Sequence, residues 1–141
     1  MTGSDRVAAA AAVDDASGGA AVLAAVDQLL AADQPGNRRT AVRLLRVAVE
    51  AGVDDLWRAV GRPALCLVSG RAQFLVLPQV LDAATARQAA AVWGALSAAG
   101  HHHAYELTPT AAELAGWRAD AARCLIGLAD PTLRRPTHAP S

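Results

Sequence analysis

The sequence predicts a mainly α-helical domain, a compact bundle of four or five helices, with residues 64–77 set into its middle as a short buried β-hairpin. Three observations predict it. Apolar residues recur every three or four positions through 20–30, 37–51, 83–99 and 109–129, the period of an amphipathic helix. Helix-start and helix-stop residues punctuate those stretches at Gln34-Pro35-Gly36, Gly52, Asp82 and Thr108-Pro109. The chain has 141 residues, 53% of them hydrophobic, which suffices for one domain with a real core.

Residues 1–19 are low in complexity and end in Ser17-Gly18-Gly19, so they read as a mobile arm ahead of a single domain over 20–129. Alanine is too weakly apolar for a secretory core, and Asp14-Asp15 interrupts the run Ala8–Ala12. The first helix carries Val22, Leu23, Val26, Leu29 and Leu30 on about a third of its wheel, and Gln34-Pro35-Gly36 stops it.

The second helix is expected over 37–51, with Val42, Leu45 and Val49 inward and Arg39, Arg43 and Arg46 on another face. Gly52 reads as its stop, and a short helix then follows over 55–60, making a helical corner. The Ala48-to-Gly52 interval matches that of DNA-binding helix-turn-helix units. However, the second helix of the corner is too short, and it opens with Asp54 and Asp55 where phosphates would lie. The arginine stripe is therefore a candidate phosphate-contacting face, Arg39, Arg43 and Arg46, standing against the plainer reading of a solvated face with local ion pairs.

Two apolar runs, 64–68 and 73–77, flank Ser69-Gly70-Arg71-Ala72, and Pro78 ends the second. Their length and the intervening glycine favour a hairpin; a fully buried helix is the competing reading, since the runs are apolar all round. Asp82 caps the next helix, over 83–99, where Ala89, Val92, Trp93 and Leu96 face inward. The rest of its girth is alanine and glycine, which makes it the candidate centre of the bundle or seam of a homodimer. Gly100 is placed to end it in the left-handed conformation. The last helix starts at Pro109 with Thr108 as cap, or one register later with Thr110 capping and Glu113 reciprocating. Leu114, Trp117, Ala121, Cys124, Leu125 and Leu128 share one face of it. From Asp130 to Ser141 the chain reads as a disordered, proline-rich tail.

The connection between the last two helices holds His101, His102, His103, Tyr105 and Glu106. A histidine beside an acid can exchange protons, so His102, Tyr105 and Glu106 are the candidate catalytic residues, with Glu106 orienting His102. The segment resembles the active connector of HEPN-type helical ribonucleases, and that resemblance implies RNA cleavage. The family carries an arginine a few residues ahead of its histidine, whereas the nearest arginine here is Arg87. No second ligand cluster accompanies the histidines, so no metal site is expected and no cofactor is implied.

Net charge is zero and the pI about 6.9, so no global field draws the chain to nucleic acid or to acidic membranes. All thirteen basic residues are arginine. Cys66 and Cys124 form no CxxC pair and read as reduced thiols of a cytoplasmic protein. Phosphate loops, nucleophile elbows and zinc-protease motifs are all missing. The leading expectation is thus a non-enzymatic module that binds a protein partner or itself, ahead of a small hydrolase and a nucleic-acid binder, with no membrane span.

Overall fold

A computed structural model of the chain describes residues 18–32, 34–101 and 108–136. Among these residues there are five α-helices and no strand. They are α1 (Gly19–Ala31), α2 (Pro35–Ala59), α3 (Gly70–Val76), α4 (Ala83–Gly100) and α5 (Ala111–Ala129), with short 3-10 turns at Pro63–Leu67, Leu77–Gln79 and Pro131–Leu133. The mainly α-helical bundle read from the sequence is therefore the observed architecture.

The hub is α2, which packs against α1, α4, α5 and the 3-10 turn that follows it. It does not stop at Gly52, nor does a corner form there. Ala41, Val42, Leu45, Ala48, Val49, Val53, Leu56 and Trp57 are all buried, so the three-and-four spacing passes through the glycine unbroken. Glycine inside a helix costs about 1 kcal/mol. Each fully buried large apolar side chain returns roughly 1.5–3 kcal/mol, and burying Val53, Leu56 and Trp57 outweighs the glycine. Gly52 serves a different purpose: a side chain there would run into Leu125 of α5, so the glycine lets the two helices close on each other.

The actual stop is Gly61. Its φ of 77° is left-handed, and the Arg62 amide donates to the Trp57 carbonyl at 2.8 Å, the bond of a glycine-terminated helix end. Gly100, by contrast, stays in the right-handed helix, and the His101 amide donates to the carbonyls of Ser97 and Ala98. Helix α5 takes the later of the two registers. Its cap is Thr110, whose Oγ1 accepts from the Glu113 amide at 3.0 Å while Glu113 Oε1 accepts from the Thr110 amide at 3.4 Å. Asp82 caps α4 as expected, its Oδ1 accepting from the Thr85 amide.

The hairpin expected over 64–77 is not formed. Ser69 Oγ accepts from the Ala72 amide and starts α3 at Gly70, which lies against the Trp93 ring rather than in a turn. Local capping thus recruits the second apolar run into a helix, while Pro63 opens a 3-10 turn through the first. Trp57, fully buried, donates from Nε1 to Gln73 Oε1 at 3.0 Å, and Gln73 Nε2 donates to the Val68 carbonyl at 3.0 Å. Phe74 stacks on Trp93 with ring centroids 4.8 Å apart.

Asp130 does not begin a loose tail. Its carboxylate accepts from Thr132, and the following residues lie along the segment ahead of α4. The Asp82 amide donates to the Leu133 carbonyl, the Arg135 amide to the Val80 carbonyl, and Leu81 pairs with Arg134 in an antiparallel bridge. Backbone groups left over between two helices find partners in each other here, a pairing no local pattern announces. The rest of the expected tail and nearly all of the expected arm, 1–17, lie outside the described residues.

Candidate functional site

The candidate catalytic residues His102, Tyr105 and Glu106 all lie outside the described residues; the neighbouring His101, at the end of α4, is exposed. Arg39, Arg43 and Arg46 fall at intervals of four and three on the continuous α2 and so share one stripe. Arg39 and Arg43 are exposed; Arg46 is half-buried, its Nε 3.5 Å from Glu50 Oε1. The stripe therefore runs into an acid rather than ending as an open basic face.

Directly below it the structure brings together groups that the sequence separates. Glu50 and Asp54, one turn apart on α2, line a cleft of about 240 Å³ with Cys66, Val68, Gly70, Gln73 and Phe74. Trp93 Nε1 donates to Glu50 Oε1 at 3.0 Å, fixing that carboxylate at the cleft wall. Cys66 Sγ donates to the Asp54 carbonyl at 3.6 Å and ties the 3-10 turn to α2. Burial pushes the Asp54 carboxyl above its ordinary range, reinforced by the charges of Glu50 and Asp55, against the pull of the neighbouring Cys66 thiol on the carboxylate and of Arg58. Burial, followed by the negative charge of Asp54, raises the Cys66 thiol, so Cys66 is poorly suited to be a nucleophile. Among the described residues no group of three histidines, cysteines or acids is arranged to hold a metal ion.

Beside this cleft the surface turns apolar. Leu67 is 90% exposed, Leu75 75% and Val68 42%, and no residue of the 3-10 turn Pro63–Leu67 is buried. Expected to be core in either reading of 64–77, these side chains are exposed instead. Arg71 stands one turn before Leu75 on the same exposed side of α3. From Gly61 to Leu81 the chain carries Arg62 and Arg71 and no acid. The sequence held one sign of this outcome: a run without period, broken by an arginine, has no single face to bury.

No protein-family model, curated protein or solved structure matches this chain. What it does must be read from its own surface. The alanine- and glycine-rich side of α4, expected to be a seam, leaves Ala84, Ala91, Gly94, Ala95 and Ala98 exposed. These are small groups offering little apolar area, and the large exposed side chains lie elsewhere. Among the described residues no helix is long and apolar enough to cross a membrane.

Proposed function

We propose that this chain is a non-enzymatic interaction module that engages a protein partner, or a second copy of itself, through the corner formed by Leu67, Val68 and Leu75. The observation carrying this reading is the exposure of two leucines and a valine within the nine residues 67–75. Isolated apolar side chains are ordinary on a surface, but several large ones exposed within one short stretch of chain favour a contact. Covering them is worth roughly 1.5–3 kcal/mol each. Association itself costs an estimated 4–15 kcal/mol, so the corner alone supports a weak contact and needs help from neighbouring polar groups.

The test places a photo-reactive amino acid at position 67 of the full chain in cells. Irradiation should give a discrete protein adduct, suppressed by Leu75→Ser. A chain that yields no protein adduct under irradiation contradicts the interaction reading.

A further inference from the structure

We propose that the occupant of the corner is a second copy of this chain, in a two-fold pair where corner meets corner and Arg71 of each copy enters the Glu50/Asp54 cleft of the other. This rests on the interaction reading above and adds to it the identity of the partner and the polar contact that supplements the leucines.

Val68 belongs to both features: it is part of the apolar corner and it lines the cleft. A surface that covers the corner therefore also covers the mouth of the cleft. That mouth presents two carboxylates one helical turn apart. Arg46 approaches Glu50 only at 3.5 Å, and Arg58, the cation whose charge acts on Asp54, is itself paired with Asp55 at 3.1 Å, which leaves the two carboxylates able to take a further cation. The planar, forked guanidinium group suits such a site better than a compact ammonium, because it can bond two carboxylate oxygens at once.

The chain supplies that cation on the same surface. Arg71 is exposed, makes no ion pair among the described residues, and stands one turn from Leu75. A two-fold contact requires a patch that complements itself, with whatever one edge offers accepted by the opposite edge. Here one edge offers arginine without any acid between Gly61 and Leu81, and the adjoining cleft offers acid. A net charge of zero leaves no long-range repulsion between copies. An anionic membrane would meet Arg62 and Arg71 favourably, but it would also be pressed against Glu50 and Asp54, and so it fits this surface less well.

Sedimentation velocity on the full chain, over a range of concentrations, tests the pairing. The unmodified protein should sediment as a dimer, and Leu67→Ser or Arg71→Glu should each weaken it by roughly tenfold or more. Asp54→Arg should do the same, and an equimolar mixture of the Arg71→Glu and Asp54→Arg chains should restore the dimer, since each supplies what the other lacks. Where Asp54→Arg fails to fold, salt takes its place: added salt should loosen the unmodified dimer and leave the residual association of Arg71→Gln unchanged. A protein that stays monomeric, or a dimer indifferent to both Leu67→Ser and Arg71→Glu, overturns the pairing. So does an adduct at position 67 of a mass other than twice the chain. That last result leaves the interaction reading standing, whereas the absence of any adduct removes both.

Discussion

At the scale of single residues, the bond from Trp57 to Gln73 joins the core to the surface, because Gln73 passes it on to the Val68 carbonyl at the edge of the corner. Trp57→Phe would leave the buried Gln73 oxygen without a donor, a penalty of about 1–3 kcal/mol beyond the lost packing. Urea denaturation should register that loss, and Gln73→Leu in the same background should recover part of it, because the orphaned group is then gone. The thiols make a second case. Burial pushes Cys124 up to about 11 and also raises Cys66, so alkylation at neutral pH should be slow at Cys66 and should reach Cys124 only on unfolding. Peptide mapping after timed iodoacetamide treatment reads both; rapid modification of native Cys124 would contradict its placement. Asp54 behaves in the opposite sense to a salt-bridged acid. Its folded-state pKa is raised, so the folded chain holds that proton more tightly than the unfolded chain, and ionising it opposes folding. The penalty is complete above the folded-state value and disappears as pH falls through the carboxylate range. In dilute solution, where the chain is monomeric, Asp54→Asn should therefore raise the melting temperature at neutral pH, and the gain should shrink towards acid pH. A gain that grew on acidification would reverse the assignment.

At the scale of elements, the two glycines of α2 show what the sequence made legible and what it could not. Capping is local, so Asp82 with Thr85 and Thr110 with Glu113 announced α4 and α5 within four residues. Gly52 and Gly61 look alike in sequence. Leu125 decides between them by filling the space above Gly52 from a helix far along the chain. The segment 64–77 departs from its sequence pattern for a related reason: apolar composition does not by itself mean burial, and Leu67 and Leu75 are exposed. The candidate site shared that blindness, because Glu50, Asp54 and Cys66 meet only through the fold. Close approach also predicts opposite responses to one added methyl group. At Gly19 a Cβ would stand 2.7 Å from the Ala48 carbonyl oxygen, a backbone atom that cannot swing aside, so Gly19→Ala should lower stability by about 1–3 kcal/mol. At Gly94 it would meet nothing within 4 Å, so Gly94→Ala should raise stability by up to about 1 kcal/mol. Thermal melts separate the two, and sedimentation of the Gly94→Ala chain adds a second reading. Weakened association would move the interface to the small-residue side of α4 and away from the corner.

At the scale of the whole molecule, nearly every feature is mounted on α2. Its buried stripe organises α1, α4 and α5, and its outer turns carry the arginine stripe and the two carboxylates of the cleft. Asp27 of α1 and Arg118 of α5 add a two-pronged ion pair, with bonds of 3.0 and 2.9 Å, that clasps the helices flanking the hub. The cleft is therefore held by the most thoroughly packed helix, while the corner is held through Gln73 and the Cys66 tie to Asp54. Unfolding α2 would dissolve cleft and corner together. An interface built from both can bind only the folded chain, and whatever binds only the folded chain stabilises it by an amount that grows with the logarithm of its concentration. The unfolding midpoint of the unmodified protein should accordingly climb as the protein is concentrated. In Leu67→Ser the climb should begin only at a concentration about tenfold higher or more, while the core stays intact because the substituted side chain is exposed. Calorimetry over a hundredfold concentration range, roughly 2.7 kcal/mol of linkage at full coupling, makes the difference measurable. Climbs that begin at the same concentration in the two chains would mean that association uses a surface other than this corner.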